Sequence, residues 1–156
     1  MKVFCDGSCL NNGKKNSKGG YGIFFGNDDP RNVSEALTCE KITNQVAELT
    51  AIQKTIEILI KDNCKDIVYI YTDSKYVIGI FTEWAKTWEK NNWFRKAGTI
   101  QNLELIKDIY NKMKNVNIIF KHVRAHTDPP SITSDKYELW YGNQKADQYA
   151  VEGSNK

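Results

Sequence analysis

No stretch of this 156-residue chain approaches the ~20 consecutive apolar residues of a membrane-crossing helix. No basic-then-apolar leader opens it either, so the expected setting is intracellular, cytoplasmic or nuclear, with no membrane partner. Histidine is scarce, at two residues, and cysteine numbers four. Cys5, Cys9, Cys39 and Cys64 lack the close pairing of a zinc site, and neither histidine stands beside them. They are expected as reduced thiols, although spacing does not decide whether any of them pair. No internal repeat or linker divides the chain, which predicts one domain over residues 1–156 and, as the simplest assembly, a monomer. Net charge is only +3, so charge alone does not announce a nucleic-acid binder.

What is present reads as a globular protein. The chain is 40% apolar and 26% charged, and is long enough to bury a core without disulfides or structural metals. Three short β-rich runs, "KVFCDGSC", "GGYGIFF" and "NVSEALTCEK", are separated by Gly/Asn/Pro-rich turns, as in a meander. Val46, Leu49, Ile52, Ile56, Leu59 and Ile60 recur at helical spacing, predicting an amphipathic helix over 44–61 with Thr43 as N-cap. "DIVYIYT" is a nearly continuous apolar strand of the buried-sheet kind. Helical patterns follow over 74–90 and about 101–114, then a strand over 116–123 and a helix from about 143. The order βββαβααβα predicts an α/β fold, a five-stranded mixed sheet flanked by helices on both faces.

Four acids stand at telling places. Asp6 follows the first strand, Glu48 lies in the long helix, Asp73 marks a strand-to-helix handover, and Asp147 opens the last helix. Each has a structural explanation taken singly: a turn residue, a solvated helix face, a helix cap, a first-turn acid. Acids dispersed in sequence also converge in folds to hold hard divalent cations by oxygen. Glu48 is flanked by Ala47 and Leu49 on a helix that packs toward the sheet, where an unpaired acid is costly. Without these four the remaining charge would be +7 (3 + 4), a basic surface around an acidic pit, which suits a polyanionic ligand.

The surrounding motifs, "DGSCLNNG", "TNQVAEL", "YTDSKYV" and "GNQKAD", together with "HVRAH", resemble those of type 1 ribonuclease H over nearly the whole chain. That resemblance implies the ribonuclease H-like fold and hydrolysis of the RNA strand of RNA–DNA hybrids. It implies two Mg²⁺ ions held by Asp6, Glu48, Asp73 and Asp147, with Mn²⁺ as a substitute, and in-line displacement leaving 5′-phosphate and 3′-hydroxyl ends. Asp6 would be shared by both ions. His126 matches the family's loop histidine, which assists near the leaving group, whereas His122 falls within a strand pattern.

The resemblance also implies substrate contacts. Asn12, Asn44 and Gln45 match amide contacts to RNA sugars, where the 2′-hydroxyl is both donor and acceptor. Thr43 and Asn102 match a pocket for a DNA phosphate, with Lys41 where an arginine is common; lysine keeps the charge but loses the bidentate fork. Trp84 matches a DNA-sugar-stacking position. Lys86, Lys90, Arg95 and Lys96 against Glu89 give a local net of +3 (4 − 1), like the family's basic handle, while Trp88 and Trp93 read as core.

One departure stands out. Twenty-one positions separate His126 from Asp147 (147 − 126), about twice the expected spacing. The surplus reads as an inserted loop at about 127–142 that carries Tyr137, Trp140 and Tyr141. The favoured expectation is that its aromatics pack on the domain; the other is a lip over the substrate. Three rival functions remain: a ribonuclease H domain of a reverse transcriptase, a catalytically silent hybrid-binding module, and a structure-specific DNA nuclease. The chain's start and its basic handle favour the stand-alone enzyme.

Overall fold

The computed structural model describes residues 1–12 and 14–156. Three strands come first, β1 (Lys2–Leu10), β2 (Lys18–Phe24) and β3 (Val33–Ala36), then the long helix α1 (Asn44–Lys61) and strand β4 (Ile67–Thr72). Helix α2 (Lys75–Gly79) runs through a π-turn (Ile80–Trp84) into α3 (Ala85–Lys90). Helix α4 (Leu103–Met113), strand β5 (Asn117–His122) and helix α5 (Tyr137–Ser154) complete the chain. The sheet order is β3-β2-β1-β4-β5, with β1–β2 and β2–β3 antiparallel and β1–β4 and β4–β5 parallel. This is the mixed five-stranded sheet that the alternation of patterns predicts.

Strand alternation divides the core between two faces. Val3 and Cys5 point to the side of α1, where Leu49, Ile52, Ile56 and Leu59 are fully buried. Each such side chain contributes about 1.5–3 kcal/mol by leaving water, and Ile52→Ala would cost about 2–5 kcal/mol. Phe4 and Phe24 point to the opposite face, where Ala146 of α5 covers them and Tyr71 stacks on Phe4 at 5.0 Å. Helix α1 starts where its cap predicts: the Thr43 hydroxyl accepts the Val46 amide at 3.1 Å.

Two glycines let the helices approach the sheet closely. A Cβ on Gly7 would overlap the Ala47 and Glu48 backbone of α1, and a Cβ on Gly22 would overlap Ala146 and Ala150 of α5. The first glycine seats the turn that carries Glu48; the second seats the turn that carries Asp147.

The structure corrects the inserted loop. Helix α5 begins at Tyr137 rather than about 143, so the connecting segment ends at Lys136 and residues 137–142 add turns to the helix. Gly142 hid this, since glycine reads as a breaker, yet it is buried here with its Cα against the Phe4 ring. The aromatics do pack on the domain. Tyr141 meets Phe24 at 5.9 Å and donates its hydroxyl to Asn27 Oδ1 at 2.8 Å, while Tyr137 lies 5.6 Å from Trp140. A second departure is the π-turn inside the span predicted as one helix over 74–90.

The four cysteines are free thiols. Cys5 is buried against Thr55 Oγ1 at 3.1 Å, and burial pushes its thiol up to about 12. No described helix is long and apolar enough to cross a membrane.

Candidate active site

The β1–β4 register assembles the site. Phe4 pairs with Tyr71, so two residues further along these parallel strands Asp6 comes level with Asp73. Both acids therefore emerge on the face covered by α5, which carries Asp147. Glu48 reaches the same pit from α1, across Gly7. Asp6 interacts with Asp73 and Asp147, Asp73 with Asp147, and Glu48 with Asp73. Four acids distant in sequence are thus neighbours.

The environment of Asp6, Glu48 and Asp73 disfavours negative charge. Burial is the largest cause raising the Asp6 carboxyl, followed by the charges of Asp73 and Asp147; the Gly7 amide, 2.9 Å from Oδ1, opposes this only in part. Glu48 is raised by burial and by Asp73, against a 2.7 Å hydrogen bond from the Ser74 hydroxyl. Asp73 is raised by burial and by Asp147, while the Asn143 side chain and the charges of His126 and His122 pull it down. A cation among these groups would relieve both the burial and the repulsion.

The residues fit such an ion in donor type. The pit offers carboxylate oxygens, the ligands hard divalent cations prefer, and beside Asp73 the buried Asn143 Oδ1 has no hydrogen-bond partner among the described residues. The cage is not ready-made: among the described residues no three His, Cys, Asp or Glu side chains group tightly enough to hold a metal ion as they stand. Like charges facing across a pit favour this more open, pairwise arrangement.

The remaining sequence-predicted residues divide. Asn12 Oδ1 accepts the Asn44 amide at 3.1 Å, and Asn44 Nδ2 reaches Glu48 Oε1 at 3.4 Å, so these two adjoin the carboxylates. Gln45 is exposed on the next position of the same turn. Lys41 is exposed and Thr43 caps α1. Asn102, in the left-handed region at φ 59°, leaves α4 without a side-chain cap and turns its amide to the Tyr76 hydroxyl at 3.3 Å, not to Thr43. His126, also left-handed at φ 54°, faces Asp73.

Trp84 is 44% exposed, whereas Trp88 and Trp93 pack against the core as their spacing suggests. Of the basic handle, Arg95 is taken up in folding its own loop, donating to the Gly98 and Thr99 carbonyls at 3.1 and 2.8 Å. Glu89 is neutralised by Lys114 at 2.8 Å, which leaves Lys86, Lys90 and Lys96 facing solvent.

Four participants escape the sequence reading. His122 ends β5 opposite Thr72, next to Asp73. Ser74 ties Glu48 to the start of α2. Asn143 favours the ionised form of Asp73 and donates to the Arg124 carbonyl at 3.5 Å. Gly79 underlies Trp84: the Ala85 amide reaches back five residues to the Ile80 carbonyl, and this wide turn brings the indole over Gly79, where a Cβ would stand 2.9 Å from the ring. The alternation of β5 could have flagged His122, and "GNQKAD" contains Asn143; nothing local signals the π-turn.

Comparison with known proteins gives a family and a fold. The RNase H family model matches residues 1–155. The chain is 39% identical over 155 residues to Ribonuclease H of Schizosaccharomyces pombe, covering 98% of this chain and 52% of that protein. It is 33% identical over 153 residues to Ribonuclease H1 of Homo sapiens, covering 97% of this chain and 49% of that protein. The chain thus spans about half the length of these curated relatives. In fold it is similar to the crystal structure of LC9-RNase H1, a type 1 RNase H with the type 2 active-site motif, with a TM-score of 0.75 at 24% identity over 99% of this chain and 71% of that one. A foamy viral protease-reverse transcriptase solved in complex with RNA/DNA hybrid is similar over 98% of this chain and 20% of that one, at 23% identity and a TM-score of 0.73.

Proposed function

The chain belongs to the ribonuclease H family, and on that footing we propose that it is an endonuclease hydrolysing the RNA strand of RNA–DNA hybrids. The observation that carries this reading is the convergence of Asp6, Glu48, Asp73 and Asp147 from the middle of β1, the end of β4 and two helices onto one partly buried pit. Burial and repulsion raise the Asp6, Glu48 and Asp73 carboxyls, so these acids stand at a cost to the metal-free fold, as a ligand site requires.

Asp6, Glu48, Asp73 and Asp147 would hold two Mg²⁺ ions, or Mn²⁺ in their place. When bound, such ions lower the pKa of water and offset charge on a phosphate. The protein's own groups orient and exchange protons. Ser74 holds the Glu48 carboxylate, fixing where its free oxygen points, and Asn143 favours the ionised form of Asp73. A water oxygen bonds to phosphorus while the bond to the 3′-oxygen breaks, leaving 5′-phosphate and 3′-hydroxyl ends. His126, whose loop follows the end of β5, supplies a proton to the departing oxygen.

Strand choice follows from hydrogen-bonding capacity. The side chains of Asn12, Asn44 and Gln45 border the carboxylates on the α1 side and suit a sugar 2′-hydroxyl, which DNA lacks. Asn102, Thr43 and Lys41 suit the backbone of the DNA strand, and the exposed ring of Trp84 suits its deoxyribose. The test is a labelled hybrid incubated with Mg²⁺ beside RNA and DNA duplexes of the same sequence. Cleavage confined to the RNA of the hybrid is expected. Tight hybrid binding without cleavage would identify a silent binding module, and cleavage of the DNA duplex a DNA nuclease.

A further inference from the structure

The segment between β5 and α5 builds a groove that the carboxylate site does not use. It encloses about 400 Å³ between the 122–136 segment and the added first turns of α5, within the ~300–1,000 Å³ of typical ligand sites. Trp140 forms one wall and is rigid. Its Nε1 donates to the Thr127 carbonyl at 2.9 Å and its ring packs against Tyr137 at 5.6 Å. Arg124 and Lys136 line the groove; both are exposed, and among the described residues neither is in an ion pair. Asp128 lines it too, leaving a net +1 (2 − 1) from the Arg, Lys and Asp side chains.

Continuity with the carboxylates gives the groove its occupant. On one side of the pit, Asn12 and Asn44 lead to Glu48. Toward the groove, His122 pairs with Thr72 beside Asp73 and itself lines the groove, and Asn143, one turn before Asp147 on α5, donates to the Arg124 carbonyl at 3.5 Å. A strand lying over the carboxylates from the Asn12 side leaves toward Arg124, and the same strand must present both the 2′-hydroxyls and the phosphate that is cut. Resting on the hybrid-cleavage reading, we propose that this groove is a subsite for the RNA strand just beyond the scissile phosphate, with Arg124 and Lys136 meeting its phosphates and Trp140 offering an apolar wall to a base or sugar.

The test compares two hybrids on one DNA strand, the RNA of one ending a single nucleotide past the scissile phosphate and that of the other continuing about three nucleotides further, with each RNA end trimmed in turn. For the wild-type protein, extension at one end is expected to raise kcat/KM several-fold. In Arg124→Ala/Lys136→Ala that gain should shrink at least three-fold, whereas Lys86→Ala/Lys90→Ala should weaken extended and trimmed hybrids alike. An undiminished gain in Arg124→Ala/Lys136→Ala would overturn the subsite. The same ratios read by equilibrium binding without divalent ions keep the two ideas apart. A wild-type protein that cut neither hybrid would sink the catalytic reading, while the binding ratio would still decide for or against the groove.

Discussion

The Ser74 hydroxyl joins two elements at once: it donates to Glu48 Oε2 at 2.7 Å and accepts the Val77 amide at 3.2 Å as the N-cap of α2. Helix α1 is thereby fastened to the turn that carries Asp73. Ser74→Ala removes both bonds, so a stability loss of about 1 kcal/mol is expected from the cap alone. With Glu48 released, the Mg²⁺ concentration for half-maximal activity should also rise. Denaturant unfolding and a metal titration measure these; an unchanged metal requirement would show that Glu48 needs no anchor.

Asp6 gives the pH prediction. Its folded-state pKa is raised by burial and by Asp73 and Asp147. Below the ordinary carboxylate range both folded and unfolded states keep the proton, and the group costs nothing. As pH rises through that range the unfolded chain ionises first, so stability falls until the raised folded pKa is passed. Asp29 and Asp108 are lowered and act in the opposite sense, so the difference between wild type and Asp6→Asn isolates the effect. In chelator the variant should gain in Tm over wild type as pH rises from about 4 toward neutrality, and Mg²⁺ should narrow the gap. A gap that is flat with pH would contradict the burial of this acid.

Asn12 and Asn44 form one unit through the 3.1 Å bond to the Asn44 amide. Asn44→Ala/Gln45→Ala should lower kcat/KM on the hybrid by roughly thirty-fold, on the basis of about 1 kcal/mol for each of two lost hydrogen bonds. Steady-state kinetics at subsaturating substrate check this, and retention of full activity would remove the pair from RNA recognition.

Gly79 places the Trp84 ring rather than freeing the backbone, its own φ being an ordinary −59°. Gly79→Ala sets a methyl 2.9 Å from that ring and should push it outward. A several-fold rise in KM with little change in kcat is expected, together with altered tryptophan fluorescence. Unaltered KM despite a fluorescence change would mean that Trp84 does not touch substrate.

Much of this was legible in the sequence for physical reasons. The 3.6-residue period and the Thr43 cap locate α1 because burial and capping act locally. The strand order follows from hydrophobic alternation and turn residues. Other features depend on contacts that no local pattern carries. Asp6 meets Asp73 through the Phe4–Tyr71 register, and His122 reaches the site because β5 pairs with β4. Gly142 leaves α5 the close space that the Phe4 ring occupies, and the π-turn that ends at Trp84 brings the indole over Gly79, contacts between residues that no local period links.

The central claim is that four carboxylates act as one metal-dependent site on RNA. The most direct measurement is cleavage of an end-labelled RNA strand in a hybrid by wild type and Asp73→Asn across a Mg²⁺ titration, with the product ends identified. Wild type should cut only with added metal and leave 3′-hydroxyl ends, and Asp73→Asn should fold normally and lose at least a thousand-fold in rate. Cleavage that persists in chelator, or in the Asp73→Asn protein at near wild-type rate, would contradict the account.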